Sequence, residues 1–211
     1  MADNPQMYGF RYHGSRVGMD YKPERVRVAS GYQGADVNAA SCNLNVGDVV
    51  KKVSDGTVAL AAGTDAFFGV IVNILPYYDG SKMRWNKFLP GNTVYGTVLE
   101  RQSFVEIVPV AGYLFEVDIN ATNASWDTQA EFNAFIGENV NHINTGDTVN
   151  VSANPQLNIS GHATTNTLQW RITDVSPTLM NQDFSGNYVK LIVTANISQQ
   201  AAGGAGTLTG V

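Results

Sequence analysis

Leu168-Gln169-Trp170-Arg171-Ile172-Thr173-Asp174-Val175 is the stretch that decides the fold class. Leu168, Trp170 and Ile172 alternate with Gln169, Arg171 and Thr173, the period of two that buries one face of a strand. Residues 188–197 repeat the pattern, with Val189, Leu191 and Val193 on one face. Working outward, strand signals recur at 26–28, 46–53, 58–60, 67–75, 93–99, 104–110, 113–119, 148–151 and 157–159. Ser54-Asp55-Gly56-Thr57 has the chemistry of a tight hairpin turn. One helix interrupts the strands. Thr128 and Glu131 have capping-box spacing, Phe132, Phe135 and Ile136 recur at helical spacing, and Gly137 suits a stop. Many short strands separated by turns predict an all-β chain, a small β-barrel or β-tulip-like domain with one short helix.

The composition agrees and narrows the function. Charged residues make up 15% of the chain, below the quarter typical of a soluble domain, so much of the surface is expected to be covered by a partner. A net charge of −5 argues against nucleic acid, because phosphate binding needs surplus Lys and Arg. The single cysteine, Cys42, excludes an internal disulfide and suits assembly in a reducing cytosol. The first residues, MADNPQMYGFRYHGS, contain no apolar core of a signal peptide. Residues 66–75, broken by Gly69 and Asn73, are too short to span a bilayer. The expectation is a soluble protein with no membrane or nucleic-acid partner.

The ends of the chain differ from its middle. Residues 1–29 hold Arg11, Arg16, Lys22, Arg25 and Arg27, interleaved with Tyr8, Phe10, Tyr12 and Tyr21 and interrupted by Gly9, Gly14, Gly18 and Pro23. This reads as an extended N-terminal arm, ordered only where it lies on something, a partner or its own domain. Residues 30–198 form the barrel-like domain, and 199–211, rich in Gly and Ala, read as a flexible tail. Residues 76–90 read as a long loop. Its Tyr77, Tyr78, Trp85 and Phe88, beside Lys82, Arg84 and Lys87, either anchor a protein interface, fold onto the barrel or stack on sugars.

No motif points to catalysis, and the chain is not expected to be an enzyme. His13, His142 and His162 lack zinc spacing, and no nucleophile elbow, P-loop or dinucleotide fingerprint is present. Asp118-Ile119-Asn120-Ala121-Thr122 begins like a calcium loop, but it lacks the Gly at position 6 and has Gln129 where an acid is needed. Glu100, Glu106 and Glu116 punctuate consecutive strands as solvent-facing charges. No cofactor and no metal are implied.

The order of several soft motifs carries a resemblance. Gly9-Phe10-Arg11 precedes Gly47-Asp48-Val49-Val50-Lys51, then Asp55-Gly56-Thr57-Val58 and Phe68-Gly69-Val70-Ile71-Val72. Asn92-Thr93-Val94-Tyr95-Gly96-Thr97-Val98 leads to Phe104-Val105-Glu106-Ile107, and the end carries Thr167-Leu168-Gln169-Trp170-Arg171-Ile172, Asn181 and Val189-Lys190-Leu191-Ile192-Val193. Over residues 8–198 this resembles the capsid cement, or head decoration, proteins of tailed bacteriophages. The resemblance implies binding to the major capsid protein on the virion exterior, after assembly in the host cytoplasm, as a homo-oligomer (trimer or dimer). It casts Tyr8, Phe10, Arg11, Tyr12, Arg16, Tyr21 and Arg25 as capsid contacts of the arm. The aromatic loop and the Gly/Ala tail depart from the family pattern. A glycan-binding or host-adsorption module on the virion surface is the alternative.

Overall fold

In the computed structural model, the described residues are 9–16, 18, 22–29, 44–54, 56–79, 82–85, 88–89, 103–120, 126–144, 155–177, 184, 189–199 and 206–207. The strands in chain order are Arg11–Ser15 (β1), Glu24–Arg27 (β2), Leu44–Asn45 (β3), Val49–Lys52 (β4), Val58–Leu60 (β5), Gly69–Ile74 (β6), Tyr77–Asp79 (β7), Lys82–Arg84 (β8) and Phe88–Leu89 (β9). Phe104–Pro109 (β10) and Tyr113–Asp118 (β11) precede the helix Gln129–Ala134 (α1). Asn139–Val140 (β12), His142–Asn144 (β13), Pro155–Leu157 (β14), Trp170–Val175 (β15), Lys190–Ala195 (β16), Ile197–Ser198 (β17) and Gly206–Thr207 (β18) follow. Among the described residues the fold is all-β with one short α-helix. The strands expected at 93–99 and 148–151, and Cys42, lie outside the described residues.

Two five-stranded antiparallel sheets make the body, ordered β2-β10-β6-β4-β5 and β1-β11-β16-β15-β12. The first closes on itself. Beyond β2, Val28 N–H donates to Ser103 O (3.0 Å) and Ala29 N–H to Val58 O (2.9 Å), so Val28 bridges β5 in parallel. This leaves a small barrel whose apolar cluster includes Val28, Val50, Val58, Ile71, Val105 and Ile107, with Leu44, Leu89 and Tyr77 packed among them. Closure pairs edge strands that would otherwise offer free N–H and C=O groups to another chain.

Alternate residues of the barrel strands turn the other way. Val49, Val70 and Val108 meet Phe115, Val117, Ile172, Leu191 and Val193 of the second sheet in a separate cluster. The alternation read from residues 168–175 holds in part: Trp170 and Ile172 are buried and Arg171 exposed, but Gln169 is buried, Leu168 is only half-buried, and a register shift between Ile172 and Asp174 breaks the period before the buried Val175. Thr128 Oγ1 accepts from Glu131 N–H while Glu131 Oε2 accepts from Thr128 N–H (3.0 Å) and Asp127 N–H (2.9 Å). That capping box starts α1 and buries Phe132 and Phe135 against the sheet. The hydrogen bonds from Asp127 and Thr128 hold the Glu131 carboxyl below its ordinary pKa.

The N-terminal segment departs from the expectation of a separate arm. β1 pairs with β11 along Arg11↔Glu116 to Ser15↔Tyr113, and β2 pairs with β10 along Glu24↔Ile107 to Arg27↔Phe104. A boundary at residue 29 would cut through both sheets. The tail differs too: β18 pairs with β17, and the Gln199 amide accepts from Lys52 N–H (2.6 Å) and donates to Lys52 O (3.1 Å).

Candidate binding surface

Phe10 is the clearest correction to the expected contact set. Gly9, at φ 65°, turns the chain inward with its Cα so close to Gly47 that a Cβ would stand 2.7 Å from Gly47 O. Phe10 N–H then donates to Gly47 O (2.9 Å). Its ring, 2% exposed, stacks on Trp170 with centroids 4.3 Å apart. A partner has no access to it. Tyr12 is half-buried and meets Tyr113 edge-on. Arg25 lies over the Phe104 ring at 4.2 Å and opposite Glu106. Arg11 and Arg16 are exposed, whereas Tyr8 and Tyr21 lie outside the described residues.

The Phe10 ring ends at a buried polar junction that joins barrel and sheet. Phe67 also stacks on Trp170 at 4.3 Å. Trp170 Nε1–H donates to His142 Nδ1 (3.3 Å), which leaves His142 Nε2–H to donate to Ala61 O (3.1 Å). The Gln169 amide donates to Ala62 O (2.9 Å) and Asp65 O (2.6 Å) and accepts from His142 N–H. Burial pushes the His142 pKa down to about 4, so the ring is neutral and serves as a structural pin. Nothing in the sequence around His142 marks it as buried. Asp48, in the Gly-Asp turn, is fully buried with Oδ2 accepting from Asn45 N–H (2.8 Å) and Oδ1 unpartnered. Desolvation pushes its pKa up to about 8.

The segment expected as a loop at 76–90 contains a hairpin, β7–β8. Tyr77 is buried in the barrel cluster, and β7 pairs with β8 along Tyr77↔Arg84, Tyr78↔Met83 and Asp79↔Lys82. Gly80-Ser81 between Asp79 and Lys82 is a two-residue hairpin signal in the sequence. The outgoing strand turns outward: Lys82 and Arg84 are exposed, Met83 is 64% exposed and Trp85 77%. Tyr77 therefore folds onto the barrel while Trp85 does not. The side chains of Tyr78 and Phe88 lie outside the described residues, although β9 pairs with β3 through Leu44↔Leu89 and Asn45↔Phe88. Val46, 40% exposed, lies in the turn that follows β3. Met83 was not among the sequence candidates; the register Tyr78↔Met83 is what sets it beside the aromatic set.

Among the described residues, no group of three or more His, Cys, Asp or Glu side chains is placed to hold a metal ion. Glu106 accepts from Asn73 Nδ2 (2.9 Å), Glu116 from the Ser176 hydroxyl, and Asp118 pairs with Lys190. His162 contacts Glu138 and rests against Phe135 and Trp126. No helix of the described residues is long and apolar enough to cross a membrane. Compared with known proteins, the chain matches no protein family, no curated protein and no solved structure.

Proposed function

We propose that this chain is a structural virion protein that binds the outer surface of a major capsid protein lattice and cements neighbouring capsomers. The observation that carries the reading is the β7–β8 hairpin. It is anchored by Tyr77 in the barrel core and presents Met83, with Trp85 just past its second strand, to solvent beside Lys82 and Arg84. Large exposed apolar side chains on a rigid base are the usual anchors of protein interfaces, and Trp and Arg are enriched among residues that dominate binding energy. A body held by two sheets keeps such a hairpin oriented, so little ordering entropy opposes docking. The resemblance of the motif order to phage cement proteins is what points to a major capsid protein as the partner, and the low charge content fits a surface covered in the assembly.

This reading shifts the gripping element. Phe10 and the strands β1 and β2 are structural parts of the body, so the contacts expected of the arm pass to the hairpin and to the exposed Arg11 and Arg16. Homo-oligomer formation at capsomer boundaries is part of the same proposal, because repeated weak contacts on a lattice gain strength by avidity. The test is co-sedimentation of the purified protein with empty shells of a candidate phage. Wild type should pellet with the shells, and Trp85→Ala should weaken binding by about 30-fold, the scale of an interface anchor worth roughly 2 kcal/mol. The exposed Trp85 ring is also the observation behind a second reading, sugar stacking; loss of glycan binding rather than shell binding in the same variant would favour it.

A further inference from the structure

The face of the second sheet turned away from the barrel carries a polar group that the hairpin surface does not use. Asp118 and Lys190 stand directly opposite each other in the β11–β16 register, and Lys190 Nζ donates to Asp118 Oδ1 in direct contact. The two side chains are only 6% and 9% exposed, respectively. Ser176 continues the row, its N–H donating to Lys190 O (3.0 Å) while its hydroxyl donates to Glu116 Oε2. Glu116 lies two residues before Asp118, on the same face of β11. Its carboxylate is near enough to Asp118 to act on it electrostatically, raising the Asp118 pKa. Arg11 is paired with Glu116 on the neighbouring strand.

We propose that Lys190 and Asp118 become joined by an intramolecular isopeptide bond, formed in the folded chain with Glu116 as the proton carrier. A proton passes within the touching pair, giving a neutral amine and a neutral carboxylic acid. Nζ then attacks Asp118 Cγ, so that a C–N bond forms and the Cγ–OH bond breaks. Glu116 takes the proton from nitrogen and returns one to the departing hydroxyl, which leaves as water. Amine and acid become amide and water, with no change of oxidation state. Three features favour the step. Burial raises the Asp118 carboxyl above its ordinary pKa in spite of Lys190. The backbone ladder holds the groups in contact, and such fixed pairs reach effective molarities of about 10⁵–10⁸ M. Little water has access to reverse the reaction.

Intact-mass spectrometry of the full-length denatured chain tests this independently of the capsid proposal. Wild type should be lighter than its sequence by the mass of one water, and Lys190→Arg, which keeps the charge, should have its full mass. Asp118→Asn should lose ammonia in place of water, and Glu116→Gln should leave a fraction of chains unjoined at early times. A protease digest should yield one branched peptide containing both residues 118 and 190. A wild-type chain at its full mass overturns the proposal, as does a lost water that maps to any other pair.

Discussion

Replacing Phe10 with alanine separates two accounts of the N-terminal segment. In the fold described above the ring is 2% exposed, stacks on Trp170 at 4.3 Å and meets His142 edge-on at 6.1 Å. Truncating a buried Phe to Ala costs about 3–5 kcal/mol through lost transfer energy and the cavity left behind. The aromatic pair itself accounts for about 0.5–1.5 kcal/mol of that sum. A domain of this kind is stable by about 5–15 kcal/mol, so about a fifth or more of the total is at stake. For a chain of this length the melting temperature should fall by about 10 °C. Calorimetry or urea titration of Phe10→Ala beside Arg16→Ala makes the comparison, since the exposed Arg16 should change stability by no more than about 0.5 kcal/mol. A Phe10→Ala midpoint equal to wild type would refute the packing and restore a free arm.

Further outcomes follow from the buried polar groups. His142 is held neutral with its pKa at about 4 against an ordinary 6.5; its contribution is present above pH 6.5 and is lost as pH falls toward 4. Asp48 is the opposite case, raised from 3.8 to about 8, so its contribution is present below pH 3.8 and is lost as pH rises toward 8. Each changes stability by about 1.4 kcal/mol per pH unit, so they offset each other between pH 4 and 6.5 and leave a decline from 6.5 to 8. Asp48→Asn should flatten that decline in pH-dependent urea titrations, and an unchanged slope would count against a buried neutral Asp48. Gly63→Ala places a Cβ 2.3 Å from His142 O; the β5–β6 loop must move off β13, at a cost of about 1–3 kcal/mol readable as a lower melting temperature.

How much of this was legible in the sequence depends on whether the signal was local. The strand at 170–175 and the capped helix were readable because alternation and the Thr128–Glu131 box are written in neighbouring residues. β1 was not, because Gly14 sits where its register shifts after Tyr12 and its partner β11 lies about 100 residues away; the strand signal at 26–28 marked β2, but not its pairing with β10 about 80 residues on. A segment that pairs only at long range looks like an arm when read alone. The aromatic segment at 76–90 was seen as a functional candidate, yet its division into the buried Tyr77 and the exposed Trp85 rests on strand pairing. Composition could not assign His142 to the core either, since its partners Ala61, Gln169 and Trp170 come from two other parts of the chain.

The central claim, a capsid-bound cement gripping through the β7–β8 hairpin, meets its most direct test in a cryo-EM reconstruction of shells incubated with the protein. Added density is expected at capsomer boundaries, with Met83 and Trp85 buried against the major capsid protein. Shells that remain bare at saturating protein, or bound density in which the hairpin points into solvent, would contradict it.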